Sequence, residues 1–293
     1  MVPRTINGMT NQEALGCMGH RFCDEWGGGE TPLCLFQSLP VDRMSDRYTE
    51  RDADFLIFPL RSVDCHPTVG RLWPPCPSES SMLTVEPDAQ LDLRGIITRF
   101  PDKLGDLGPA PDVTSLLSLD VAAPLQSSDQ IRACVRDLLR AGGFKPAGRN
   151  KPASEYLRTA ASTDRLSSIN LAVDVCNVVS LHSGLPMSVV DLDRVELPLR
   201  VAVAPQFASY VFNLSGQIID VGGLWCLHDA LGPCANAVKD AERTKTSPMT
   251  WQTLSLFWSA VSLSGQADAA EAWYRTLLES QGCQVECCEV TVL

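Results

Sequence analysis

The sequence lacks any apolar run of the roughly 18 residues needed to cross a bilayer. Its first residues, MVPRTINGMTNQEALG, hold no apolar core behind basic residues, so no secretory leader is expected. Positive charge is also scarce: 24 Lys and Arg stand against 35 Asp and Glu, a net charge of -11. That balance excludes a general binder of nucleic-acid backbone, whose affinity comes mainly from neutralising phosphates. Any RNA contact must rest on a local patch or on a short end of the RNA. The twelve cysteines follow no regular spacing and contain no C-x-x-C pair, so free thiols in a reducing compartment are expected. The triple glycine Gly27-Gly28-Gly29 has no following GK[ST] and is not a phosphate loop. No internal repeat is present. These absences together point to a cytoplasmic protein with no membrane partner.

What remains is an ordinary globular composition, 45% hydrophobic and 20% charged over 293 residues. The composition changes near residue 82. Before it, stretches such as CDEWGGGETPLC and GRLWPPCPSESS show no sustained period, apart from one strand-like run, DFLIFPL, from Asp54. Residues 1–81 are therefore expected to form a poorly ordered extension, with Met82 an alternative start of translation. Residues 82–282 are expected to form the folded domain, and residues 283–293 a flexible tail.

Within the domain, QLDLRGIITRF reads as a strand. Ser127 to Leu139 reads as a helix, with Ile131, Cys134, Val135 and Leu138 on one face. Asn150 with Pro152 marks a helix start, and Ile169 to Ser183 a second helix ended by Gly184 and Pro186. Leu197 to Val203 alternates as a strand, and Tyr210–Leu214 with Gln217–Val221 forms a hairpin. Short strands are expected at Trp225–Leu227 and Leu254–Trp258. Ala267 to Glu279 reads as an amphipathic helix with Ala270, Trp273, Leu277 and Leu278 inward. Helices mixed with mostly antiparallel hairpins give an α+β fold.

Cys176 and His182 invite a nucleophile-and-base reading. On a helix their separation leaves about 120° between the side chains, so they cannot hydrogen-bond. Cys176 is better read as a small residue facing a core or cavity. Asp174, Asn177 and Leu181 do share a face; the two polar residues either cap neighbouring loops or form a pocket wall. Cys226, His228 and Cys234 lack a fourth ligand at a familiar spacing, so no metal site is expected. Asn213-Leu-Ser is a glycosylation sequon in spelling only. Two basic clusters, Arg149-Asn150-Lys151 and Lys239 to Lys245, sit at Gly/Pro breaks. They are either solvated faces or anion-holding junctions.

Three segments taken together carry a resemblance: GRNKPASEYL (148–157), INLAVDVCNVVSLHSGLPMSVVDLDRVE (169–196) and ANAVKDAERTKTSP (235–248). They resemble the B3/B4 domain of the phenylalanyl-tRNA synthetase β subunit in its free-standing form; bacterial β subunits carry a closely similar run, IN-x-VVDVTN…G-x-PMHAFDLD, and free-standing members more often share the GRNKPASEYL and ERTK elements. The resemblance implies a compact α+β fold of mostly antiparallel strands with packed helices, and no metal or organic cofactor. It implies a partner in tRNA or the 3′ end of aminoacyl-tRNA. It also implies a trans-acting editing role, hydrolysis of the ester on mischarged aminoacyl-tRNA. The alternative is a non-catalytic module that binds tRNA ends or a small amino-acid-like ligand. Carried onto this chain, Asn177 matches the family's Asn, while Cys176 stands where the synthetases have Thr and Ser188 where they have His. The missing His removes a substrate-positioning donor, and TWQTLSLFWSA offers no Glu for a tyrosine hydroxyl. The pocket expected from the resemblance comprises Glu155, Cys176, Asn177 and Ser188. Substrate contacts are expected from Arg149, Asn150, Lys151, Ser154, Asp174, Arg243, Thr244 and Lys245.

Overall fold

The computed structural model describes residues 83–293, the side chain of Arg149 excepted. The expectations for residues 1–81, and for Met82 as a start, lie outside the described residues. The fold is α+β. Its elements, in order, are β1 (Leu83–Val85), β2 (Leu91–Arg99), α1 (Pro111–Thr114), α2 (Asp129–Ala141), α3 (Ala153–Ala161) and α4 (Leu171–Ser183). They continue with β3 (Met187–Asp191), β4 (Leu199–Val203), β5 (Ser209–Val211), β6 (Ile218–Asp220), β7 (Trp225–Asp229) and β8 (Gly232–Asn236). The last are β9 (Gln252–Ala260), α5 (Ser264–Ser280), β10 (Gln284–Cys287) and β11 (Val290–Val292).

Two sheets form the frame. One runs β11-β1-β4-β7-β8 and the other β10-β2-β9-β3; β5 and β6 make a separate two-stranded ribbon. Among the described residues only the pairings of β1 with β4 and β11 are parallel. Alternation along β2 and β9 shows how the layers stack. Ile97, Leu254, Leu256 and Trp258 join a core with Leu199, Val201, Trp225 and Leu227 of the five-stranded sheet. Ile96 and Phe257 point the other way, into a second core with Val175, Val179 and Tyr274 of α4 and α5. The four-stranded sheet is thus covered on both faces, which explains why β9 (QTLSLFWSA) is buried almost end to end rather than alternately.

α4 is buried along its whole length, its polar residues Asp174, Asn177, Ser180, His182 and Ser183 included, as befits a helix at the centre of such a core. Its ends are set by sequence. The Asn170 side chain accepts the Val173 N–H, and Gly184 closes the helix at φ 78°. A Cβ at Gly184 would lie 2.8 Å from the Ser127 Cβ, so glycine is required there twice over. In α5 the inward stripe is Ala267, Ala270, Tyr274 and Leu278, with Trp273 and Leu277 on its flanks. Tyr274 takes the central place because its hydroxyl finds the Ser255 hydroxyl at 2.7 Å. Among the described residues no helix is long and apolar enough to cross a membrane.

The C-terminal segment departs from the expected flexible tail. β10 pairs with β2 from Gln284↔Arg99 to Cys287↔Ile96, and β11 lies parallel to β1. Cys283 and Cys288 are buried, and the Cys288 Cβ would lie 3.0 Å from a Cβ placed on Gly95. The polar spelling QVECCEV hid this, because an edge strand that covers a core on one face alone needs few apolar residues. A chain ending at Gly282 is expected to lose about 3 kcal/mol or more of unfolding free energy, since both ladders vanish and both sheet edges open. Denaturant unfolding checks this; equal stability of the two chains would mean that the strands contribute nothing.

Candidate functional site

The three resembling segments, far apart in sequence, meet in space. The Ala153 N–H, in the first turn of α3, donates to the Ala237 carbonyl at 2.9 Å. Asn170 Nδ2 reaches Thr246 Oγ1 at 3.2 Å, and Arg194 Nη1 reaches the Lys245 carbonyl at 2.7 Å. Ser188 of β3 donates to Asp240 Oδ1 at 2.7 Å, lies 3.0 Å from the Asn236 carbonyl, and accepts from Trp258 Nε1 at 2.9 Å.

Asp240 is the centre of this arrangement. Its Oδ1 also accepts the Asn236 N–H at 3.1 Å, closing the turn after β8 upon itself. The Asn236 side chain completes the turn by accepting the N–H groups of Val238 and Lys239 and donating to the Tyr210 hydroxyl. Burial pushes the Asp240 carboxyl up to about 6, although Ser188, two backbone N–H groups and the Lys245 charge all favour the ionised form. Cys176 lies close enough to feel that charge, and burial above all pushes its thiol well up. A thiol so held is not a nucleophile at neutral pH.

The remaining polar residues have definite places. Asp174 accepts from the Ser168 hydroxyl at 2.5 Å and the Ile169 N–H at 2.8 Å, so it anchors the loop before α4. Its carboxyl is raised by burial, against those hydrogen bonds. His182 meets the Leu116 carbonyl through Nε2 at 2.9 Å and packs edge-on against Trp273, away from any partnership with Cys176. Asn177 is only 2% exposed, and its amide makes no hydrogen bond with any described residue. The fully buried side-chain atoms left without a partner among the described residues are Thr98 Oγ1, Trp225 Nε1, His228 Nε2 and Thr253 Oγ1, and the Asn177 amide is not one of them.

The basic segments turn inward. Arg243 forms a two-pronged pair with Asp229 at 2.5 and 2.7 Å and also donates to the Gly232 carbonyl. Burial would raise Asp229, but the Arg243 hydrogen bonds and the N–H groups of Glu196 and Leu231 outweigh it and hold the carboxyl below its ordinary value. Thr244 bonds the Cys234 carbonyl at 3.3 Å. Lys245 is buried, and its ammonium donates to the Phe212 carbonyl and to Glu242. Lys239 sits 4.1 Å from the Phe212 ring centre. Asn150 and Lys151 are half-buried. Both oxygens of Glu155 are taken by Arg136 of α2, at 2.6 and 2.7 Å. Among the described residues no group of three His, Cys, Asp or Glu is placed to hold a metal ion.

No protein-family model matches this sequence, and no curated protein matches it. One solved structure with some likeness is an N-terminal fragment of the phenylalanyl-tRNA synthetase β subunit from Pyrococcus horikoshii. It is 9% identical with a TM-score of 0.41, over 72% of this chain and 51% of that one. The chain thus spans about half the length of that fragment. At this similarity the relationship is distant, and the site has to be judged by its own geometry.

Judged so, the residues brought together are Cys176 and Ser188 with Asp240, while Glu155 belongs to the α2–α3 face. Asp240, Asn236, Tyr210 and Trp258 escaped the sequence reading. Asp240 was hidden inside KDAERTK, which reads as a basic run; the apolar ANAV before it was the available hint that the segment turns inward.

Because the folded-state value of Asp240 is raised from 3.8 to about 6, its neutral form is favoured by folding. That contribution is complete below about pH 4 and is lost as pH rises through 6. Relative to Asp240→Asn, whose amide oxygen can still accept from Ser188, the native protein is expected to lose on the order of 3 kcal/mol between pH 4 and 7. Parallel stability curves for the two proteins would contradict the assignment.

Proposed function

We propose that this protein binds the 3′ end of tRNA, in its aminoacylated form, through the region where the three resembling segments meet. The observation that supports this most is their convergence through the Ala153–Ala237, Asn170–Thr246 and Ser188–Asp240 hydrogen bonds. Segments with a shared resemblance but separate structural roles would have no reason to meet at one place. The Asn177 side chain carries both a donor and an acceptor that a ligand can use. A net charge of -11, together with Arg243 and Lys245 held by internal partners, favours recognition of a short end over a long backbone.

Ester cleavage in trans is the second reading, and one observation favours it. An activated ester needs only a placed water and a donor for the developing oxyanion, and the Asn177 amide is such a donor. Against it stand the raised Cys176 thiol and the engaged Ser188 and Glu155, none of which is available as nucleophile or base. A small amino-acid-like ligand remains the non-RNA version of the binding role.

A tRNA minihelix carrying a non-hydrolysable aminoacyl group tests the proposal. Binding is expected with a shallow salt dependence, because few phosphates are touched. Asn177→Ala should weaken it about tenfold without lowering the melting temperature. Absence of binding at any salt concentration would overturn the reading. A panel of mischarged tRNAs separates the two versions: hydrolysis above the buffer rate, lost in Asn177→Ala, would establish the enzyme.

A further inference from the structure

A polar cleft of about 140 Å³ opens between the N-terminal ends of α2 and α3, lined by Ser127, Ser128, Arg132, Ser154 and Arg158 together with the carboxylates Asp129 and Glu155. That volume is below the roughly 300 Å³ at which pockets for organic ligands begin, so it suits a small ion or one group of a larger molecule. We propose that it binds a phosphoryl oxyanion. The inference does not rest on the tRNA reading, and it concerns residues that the buried Asp240 network does not use.

The donors are arranged for an anion. At the start of the 13-residue α2, Ser128 Oγ accepts the Ile131 N–H, which leaves the Asp129 and Gln130 N–H groups at the positive end of the helix without an intrahelical acceptor. Arg158 donates to the Ser127 hydroxyl and has no carboxylate partner among the described residues. Arg132 pairs with Asp129 at 3.2 Å, but both side chains are more than half exposed, so the pair is weak and readily exchanged. The Glu155 carboxylate is fully engaged by Arg136, which removes most of its repulsion. An independent observation comes from α3. Ser154 lines the cleft, is only 3% exposed, and its hydroxyl has no hydrogen-bond partner among the described residues. The Ser154 hydroxyl is not sealed from the cleft, so it can donate to an anion held there. Two guanidinium groups, a free hydroxyl and a helix N-terminus at one small opening match the tetrahedral oxygens of phosphate.

Titration of the full chain with inorganic phosphate, followed by calorimetry or by NMR of the cleft amides, tests this directly. Saturable binding is expected, with Arg158→Ala and Arg132→Ala each weakening it about tenfold and Ser154→Ala weakening it a few-fold. Asp129→Asn should tighten it, and Asn177→Ala should leave it unchanged, so that failure of the tRNA reading is told apart from failure of this one. Arg132 is exposed, so its variant keeps the test valid even where another fails to fold. A parallel titration with the RNA minihelix identifies the source. If phosphate competes with RNA and Arg158→Ala weakens both, the oxyanion is a nucleic-acid phosphate; if only inorganic phosphate responds, it is a free phosphate or phosphomonoester. No binding at millimolar phosphate, or binding indifferent to both arginines, would overturn the proposal.

Discussion

A single buried carboxylate ties the molecule together. Asp240 holds Ser188 of β3 on one side and the Asn236 N–H of its own turn on the other, while the Trp258 indole of β9 donates to the same serine. β3 and β9 belong to the four-stranded sheet and β8 to the five-stranded one, so this contact joins the two sheets by polar bonds where most of their interface is apolar. A polar link of this kind fixes register, because a slip along either strand would strand the carboxylate without its partners. Two of the three resembling segments are tied through it, and the third joins them by the Ala153–Ala237 bond.

The same constraint limits the chemistry. Groups whose types suggest catalysis are drawn into structural work: Ser188 serves Asp240, Glu155 serves Arg136, and the Cys176 thiol is shielded from water. Asn177 and Ser154 are not drawn into such pairs, while the fully buried side-chain atoms left without a partner among the described residues are Thr98 Oγ1, Trp225 Nε1, His228 Nε2 and Thr253 Oγ1. The binding role proposed above needs none of these groups as a nucleophile, whereas hydrolysis would have to draw its reactivity from the substrate.

Much of the fold was legible in the sequence. The period of α2, the caps of α4 and the alternation of β4 are local signals, written in the residues that carry them. β8, β10 and β11 were not, because GPCAN, QVEC and VTV owe their conformation to neighbours that only the folded chain supplies. At the site, Asn177 and Ser188 could be singled out by resemblance, but Asp240 could not. Its partner Ser188 lies 52 residues away in another sheet, and a carboxylate spelled between Lys239 and Arg243 carries no mark of burial. The burial of Lys245 and the inward pairing of the half-buried Arg243 escaped for the same reason, since ion pairing is a property of the tertiary arrangement.

The most direct test of this account is a titration of the Asp240 carboxyl carbon by NMR in the intact protein. The account predicts a midpoint near 6, raised by burial beneath the Ser188 and Asn236 hydrogen bonds, and a matching response in the Trp258 indole proton. A midpoint at the ordinary carboxylate value, with a silent indole, would mean that Asp240 meets water and that the two sheets are not joined through it.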